Sequence, residues 1–377
     1  MIQSLLSDGE RDALWAGRIV DVDVHVNIPS IEALFPYLDD VWIQHVRQQK
    51  WKGPTSAALY PPNAGVTARA EWKPDGARPP ASELSLVQQQ ILDPWHVDHA
   101  ILNCYVTIDG GPPDLSAALA RAINDWLAAE WLERDPRLRA SIVLPGPNDP
   151  GAMAAEIERL GGHPGFVQAF LPARSGKLYG KRLFWPVFEA LVRHDLVGGI
   201  HYGGANDGLP PTPSGWPSWY VEEYAGEIQV FESQLINILA EGLFQKFPSL
   251  RLSFLESGFT WVPAWMWNLD RNWKGIRREV PWLDRRPFGL VREHVRFSTA
   301  PFDASSAEEL SHVIRWLGSD DLLMFATDYP HWHDDDMSIL LQAVPEEARS
   351  KLMYENARSW YKLGDGTISG LRDYDRG

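Results

Sequence analysis

The sequence predicts an α/β chain folded as a (β/α)8 TIM barrel with loop insertions after strands one and five, and three observations carry that prediction. Eight short runs rich in Val, Ile, Leu and Phe recur along the 377 residues. Stretches of helical period separate them, the alternation expected of a parallel sheet with crossover helices. The first run, in VDVDVHVNIPS, lacks the glycine-rich phosphate turn that a doubly wound open sheet usually carries after its first strand.

In chain order, the first strand is Arg18–Val26 (RIVDVDVHV) and the second Ala100–Val106 (AILNCYV). The next three are Arg139–Leu144 (RASIVL), Gly165–Leu171 (GFVQAFL) and Val197–Tyr202 (VGGIHY). Arg251–Glu256 (RLSFLE), His294–Thr299 (HVRFST) and Leu322–Asp328 (LLMFATD) complete the set. Between them, Leu115–Arg134, Pro150–Leu160, Gly226–Lys246 and Ser305–Leu317 space apolar residues by three and four, the stripe that an amphipathic helix buries. Pro29–Ala81 is rich in Pro, Trp and polar residues and follows the first strand, where barrels place catalytic-face loops, so it is expected to form a lid. Asn206–Glu223, after strand five, should overhang the same face. Residues 362–377 offer little to bury and read as a tail or an oligomer contact. The whole chain, 1–377, is read as one domain, a length that a barrel with insertions accommodates.

The 35 Lys and Arg against 50 Asp and Glu leave a formal net charge of −15, which would repel a phosphate backbone and gain nothing from anionic lipid. Nucleic acid and membranes are therefore not expected partners. No apolar run approaches the roughly 20 residues that span a bilayer. The start, MIQSLLSDGERDALWAG, has acids where a secretory signal has bases, so a cytoplasmic location is expected. Cys104, the one cysteine, lies in an apolar run and reads as a buried thiol. Many of the 18 tryptophans sit in proline-bearing loops, either packing them onto the barrel or lining a pocket.

Asp23 and His25 are separated by one residue on a strand, so both side chains face the same way near its C-terminal end. Alone, such a pair reads more simply as a helix cap beside a core histidine. His201, however, also ends a strand, in GGIHYGG, and Asp328 ends the eighth, in MFATDYPHW. A carboxylate after four apolar residues is costly unless something cationic compensates it. One divalent metal ion held by Asp23, His25, His201 and Asp328 explains the set better than four separate structural roles. Two imidazoles and carboxylate oxygens without thiolates suit zinc first, with manganese or iron as alternatives, in a catalytic site. Strand four offers Gln168 where two-metal barrel hydrolases commonly use a carboxylated lysine, which argues for one metal.

Arg174, Tyr202, Tyr220 and Trp261 fall on the loops expected at the catalytic face and are candidates for binding a carboxylate or aromatic ring of a small-molecule substrate. His331 and His333 follow the strand-eight aspartate; His331 is the better placed for catalysis through contact with substrate or the ligand shell, a plain loop histidine being the alternative. The run Asp334–Asp336 reads as N-terminal charge of the last helix.

VDVDVHV, GGIHYGG, LSFLESGFTWVPAWMWNLD and FATDYPHW together resemble the amidohydrolase-related family (amidohydrolase family 2), over about residues 18 to 360. That family includes aminocarboxymuconate semialdehyde decarboxylase and resorcylate-type decarboxylases. The resemblance implies that its first-strand His-x-His or Glu-x-His pair falls on Asp23 and His25, its strand-five histidine on His201 and its strand-eight aspartate on Asp328. Asp23 departs from the pattern as a shorter carboxylate. A larger departure follows strand six, where the decarboxylases carry a histidine in an H-x-G-E-like turn and this chain has Glu256 in LESGFTW. Glu256 is a candidate general base, an extra ligand, or a structural acid paired with an arginine such as Arg271. The resemblance also implies a homo-oligomer, a dimer or tetramer.

Two reactions fit this site. Hydrolysis is placed first: metal-activated water attacks an amide, lactone or related carbonyl while Asp328 handles the proton. Non-oxidative decarboxylation of an aromatic or unsaturated carboxylic acid is the alternative, favoured by the relatives but short of their strand-six histidine. A metal-storing scaffold, the third reading, predicts no open coordination position and no pocket beneath Pro29–Ala81.

Overall fold

Among the described residues, eight strands pair in sequence order: β1 Val20–His25, β2 His99–Asn103, β3 Leu138–Ile142, β4 Phe166–Arg174, β5 Val197–Gly204, β6 Leu252–Leu255, β7 Val295–Ser298 and β8 Leu323–Met324. Each lies parallel to the next. The first and last elements then meet: Val22 N–H donates to Phe325 C=O, His25 N–H donates to Tyr329 C=O, and Val24 bridges Tyr329 in parallel. This closure makes the sheet the predicted (β/α)8 barrel. The computed structural model describes residues 14–54, 68, 70–74, 78–104, 112–204, 210, 212, 214–331 and 336–364.

All six residues of β1 and all eight of β5 are buried, which is why their polar members stand out in otherwise apolar runs. β8 is two residues long where seven were expected. The ladder to β7 stops because Phe325 N–H donates to Leu352 C=O and Ala326 N–H to the Thr299 hydroxyl. The helix predicted over Gly226–Lys246 is three pieces, Tyr220–Gly226, Ile228–Ala240 and Leu243–Lys246. Gly242 breaks it at φ 72°, and a Cβ there would lie 2.5 Å from the Trp282 indole. Pro150–Leu160 is a helix as predicted, and Ala307–Leu317 begins where the Ser306 side chain accepts from Glu309 N–H.

The long insertion is pinned at its base: Asn27 N–H donates to Ala81 C=O at 3.0 Å, and Asn27 Nδ2 to Pro80 C=O at 2.7 Å. It contains a helix at Asp40–Gln49, and Ala68 forms an antiparallel bridge with His331 on the loop beyond β8. Trp72 packs on Tyr329 with ring centroids 5.0 Å apart. The insertion therefore reaches the C-terminal mouth of the barrel; residues 55–67 lie outside the described residues.

Trp360, Tyr361 and Leu363 are buried, so the packed chain runs past the start of the predicted tail. Residues 365–377 lie outside the described residues. Burial pushes the Cys104 thiol up to about 12, leaving it a protonated core group. No described helix is long and apolar enough to cross a membrane.

Candidate metal centre

Period-two alternation along β1 turns Asp21, Asp23 and His25 to one face, and all three are buried. His25 Nε2 lies 3.7 Å from Asp23 Oδ1. β5 delivers His201, whose Nε2 lies 3.2 Å from Asp23, and the chain beyond β8 delivers Asp328, whose Oδ1 lies 2.8 Å from His25 Nε2. Ligand-type atoms of Asp23, His25, His201 and Asp328 all lie within 4.8 Å of one another.

The electrostatics of this cluster call for positive charge. Burial would lower His201, but Asp23 outweighs it and pushes the imidazole up to about 9. Burial lowers His25, with His331 acting in the same sense. Burial would raise Asp328, but His331 and His25 outweigh it and hold the carboxyl well below the usual range. Asp23 Oδ2 is buried and makes no hydrogen bond among the described residues, its nearest cationic group being His201 Nε2 at 3.2 Å. A divalent cation fits: it would satisfy that oxygen, and two imidazole nitrogens with carboxylate oxygens form a suitable donor set. His201 Nδ1 lies 3.0 Å from Tyr202 C=O, a contact that orients the ring and leaves Nε2 facing Asp23.

Beneath the cluster runs a buried polar column. Asn103 Nδ2 donates to Asp23 Oδ1 at 2.8 Å, Ser141 Oγ to Asn103 Oδ1 at 2.6 Å, and Gln168 Nε2 to Ser141 Oγ at 2.8 Å. Tyr361 OH closes the column by donating to Gln168 Oε1 at 2.8 Å. Gly199 of β5 makes room for it, because a Cβ there would lie 2.4 Å from Gln168 Cδ. Gln168 thus serves as a structural amide at the strand-four position. Asp21 accepts from the Thr327 hydroxyl at 2.7 Å and from Asp23 N–H at 3.1 Å, and burial pushes it up to about 7.

Glu256 and Asp328 both have left-handed backbones, at φ 51° and 54°. For non-glycine residues that costs on the order of 1–2 kcal/mol each, strain of the kind concentrated at functional sites. Glu256 Oε1 accepts from Tyr224 OH at 3.0 Å, and its Oε2 lies 3.9 Å from His201 Nδ1. The alternative partner Arg271 is exposed on the helix Val262–Ile276, and Glu256 turns to the cluster instead, its carboxylate within 4.8 Å of ligand-type atoms of His25, Asp328 and His331. His331 Nδ1 lies 3.1 Å from Asp328 Oδ2, and its ring stands 4.5 Å from that of His25. His333 lies outside the described residues.

Of the proposed substrate-contacting residues, Tyr202 and Tyr220 stand together beside Tyr224, with ring centroids 5.2 and 5.8 Å from it. Burial pushes Tyr220 up to about 12 and raises Tyr202 and Tyr224 further, so all three keep their hydroxyl protons. Arg174 is engaged elsewhere: Nη1 bonds Glu223 at 2.7 Å and Nη2 bonds Glu227. Trp261 donates its indole N–H to Ser257 C=O at 3.0 Å and packs on Trp265 and Phe297. Asn103, Tyr224 and Asp21 are the residues that sequence reasoning missed. Asp21 shares the alternation of Asp23 and His25, a signal that was present; Tyr224 and Asn103 carry no local mark.

A family model described as amidohydrolase matches residues 20–363. No curated protein matches the chain by sequence. Among solved structures, 2,6-dihydroxybenzoate decarboxylase from Rhizobium is similar in fold, with a TM-score of 0.64 at 19% identity over 92% of this chain and 99% of that one. A 5-carboxyvanillate decarboxylase from Novosphingobium aromaticivorans, solved with bound manganese, gives 0.67 at 19% over 94% and 99%. An amidohydrolase from Mycobacterium avium subsp. paratuberculosis gives 0.68 at 17% over 92% and 99%.

Proposed function

The chain belongs to the amidohydrolase family, and from that premise we propose that it is a metal-dependent decarboxylase that removes carbon dioxide, without oxidation, from a small aromatic carboxylic acid. The observation that carries this reading is His331 Nδ1 at 3.1 Å from Asp328 Oδ2, while the other oxygen of Asp328 stands 2.8 Å from His25 Nε2 among the proposed ligands. His331 is so placed to share a proton with Asp328 and deliver it. The decarboxylases of similar fold support the same choice over hydrolysis. The missing strand-six histidine weighs less for hydrolysis because Glu256, hydrogen-bonded by Tyr224, stands at that strand end.

Asp23, His25, His201 and Asp328 would hold one divalent ion, and manganese, bound in one of the similar structures, stands beside zinc as its candidate identity. When bound, the ion supplies positive charge that anchors the substrate's oxygens and draws electron density from the ring. The Asp328–His331 pair passes one proton to the ring carbon that bears the carboxylate. As that C–H bond forms, the bond to the carboxylate breaks, its electron pair returns to the ring and carbon dioxide leaves; solvent then reprotonates the pair. The Tyr202, Tyr220 and Tyr224 hydroxyls bind ring substituents. Ala68, bridged to His331, stands at the mouth, where it would help to limit water.

The test is to offer metal-loaded protein 2,6-dihydroxybenzoate alongside aryl lactones and amides. Carbon dioxide and the decarboxylated phenol are expected from the acid, with no acid released from the others. Acid release from a lactone or amide without carbon dioxide from the benzoate would return the reading to hydrolysis.

A further inference from the structure

Asp328 offers an oxygen on each of two sides. Oδ1 lies 2.8 Å from His25 Nε2, within the proposed centre, and Oδ2 lies 3.1 Å from His331 Nδ1. On the Oδ2 side stands Glu256, and ligand-type atoms of His25, Glu256, Asp328 and His331 all lie within 4.8 Å of one another. Metal bonds of about 2.0–2.2 Å hold neighbouring ligand atoms roughly 3–4 Å apart, so small side-chain movements would seat an ion in this second group. Glu256, like Asp328, is held in place by a left-handed backbone, and Tyr224 OH anchors its Oε1 at 3.0 Å. His331 is the one partly exposed member and gives access from the mouth.

The first position claims His25, whose Nε2 also lies 3.7 Å from Asp23 Oδ1. Glu256, His331 and the outer oxygen of Asp328 remain. Gln168, committed to Ser141, fills the strand-four position, so a bridge between two ions falls to Asp328. Charge sets the order of filling. With Asp23, Asp328 and Glu256 ionised, the first divalent ion meets three negative charges and leaves one, so a second is held less tightly.

We propose that Glu256, Asp328 and His331 form a second, weaker divalent-metal position, bridged to the first by Asp328, and that filling it stops the reaction. His331 Nδ1 cannot hold both an ion and the proton it shares with Asp328, so excess metal removes the acid. The effect on turnover rests on the decarboxylase reading; the position itself does not.

The test adds manganese to chelator-stripped protein, with bound ion counted by equilibrium dialysis and its environment read by electron paramagnetic resonance. A second ion should bind at least about tenfold more weakly than the first, and its arrival should convert the signal of isolated manganese into that of an exchange-coupled pair. Glu256→Gln and His331→Ala should each keep the first ion and lose both the second and the coupling. One ion at saturation, a second ion without coupling, a second ion kept in both variants, or loss of the first ion with Glu256 would overturn the position. Carbon dioxide release from 2,6-dihydroxybenzoate should fall about 10²-fold or more between one bound ion and two, and an equal or higher rate would overturn the inhibition. If neither loading releases carbon dioxide, the reaction assignment falls while dialysis and resonance still decide the position. Thermal melts check that the variants are folded; if neither is, stoichiometry and coupling in the wild type decide.

Discussion

The Asn103 side-chain amide donates to Asp23 Oδ1 at 2.8 Å and so fixes the carboxylate whose two oxygens both face His201 Nε2 at 3.2 Å. Asn103 is itself held by Ser141, and through Gln168 by Tyr361 at the far end of the column. Replacing Asn103 with Leu keeps the volume and removes the donor. Affinity for manganese or zinc should fall about 10- to 100-fold, read by competition with a chromogenic chelator. An unchanged affinity would show that Asp23 needs no such support.

His201→Ala removes one of the two imidazoles from the cluster. Metal content after loading and desalting should drop to a small fraction of wild type, measured by elemental analysis. Full occupancy in this variant would remove the proposed centre.

His331 touches Asp328 from the side opposite His25. His331→Ala should keep its metal and lose about 10²-fold or more in kcat, the scale on which a positioned acid–base group acts. A variant that instead loses its metal would make His331 a ligand.

Burial pushes Glu227 up to about 7 from 4.5, against the pull of Arg174, whose own shift is also upward. The two directions agree physically, because one guanidinium cannot offset both Glu223 and Glu227, and both carboxyls are raised. A carboxyl raised in the fold favours the folded state below its unfolded pKa, and that advantage is lost as pH climbs from 4.5 toward 7. Relative to Glu227→Gln, wild type should lose up to about 3 kcal/mol across that window, followed by denaturant melts at both ends. Parallel pH dependence in the two proteins would show that Glu227 stays ionised.

Gly199→Ala places a methyl group 2.4 Å from Gln168 Cδ, inside the barrel. The expected cost is about 1–3 kcal/mol together with a weaker metal centre, since Gln168 must give way and the column to Asn103 with it. Melting temperature and metal affinity should move together.

Much of this was legible in the chain because it depends on local periods. Alternation along VDVDVHV places Asp23 and His25 on one face wherever the strand goes, and the eight apolar runs with helical spacers leave few ways to bury them other than a closed parallel barrel. Once those strands close, His201 within β5 and Asp328 beyond the end of β8 are carried to the same mouth. Other features have no local signature. Asn103 reaches Asp23 across 80 positions, and Glu223 and Glu227 close on Arg174 from 49 and 53 positions away. Arg174 read as a substrate-binding cation because its sequence neighbours say nothing of the acids brought to it by the helix after β5. Trp261 likewise meets Phe297 and Trp265, ring partners that its local sequence does not single out. Periodicity determines which residues face inward; which of them then meet, and with how much charge to spare, is decided only when separate strands bring distant side chains into a space where water cannot compensate them.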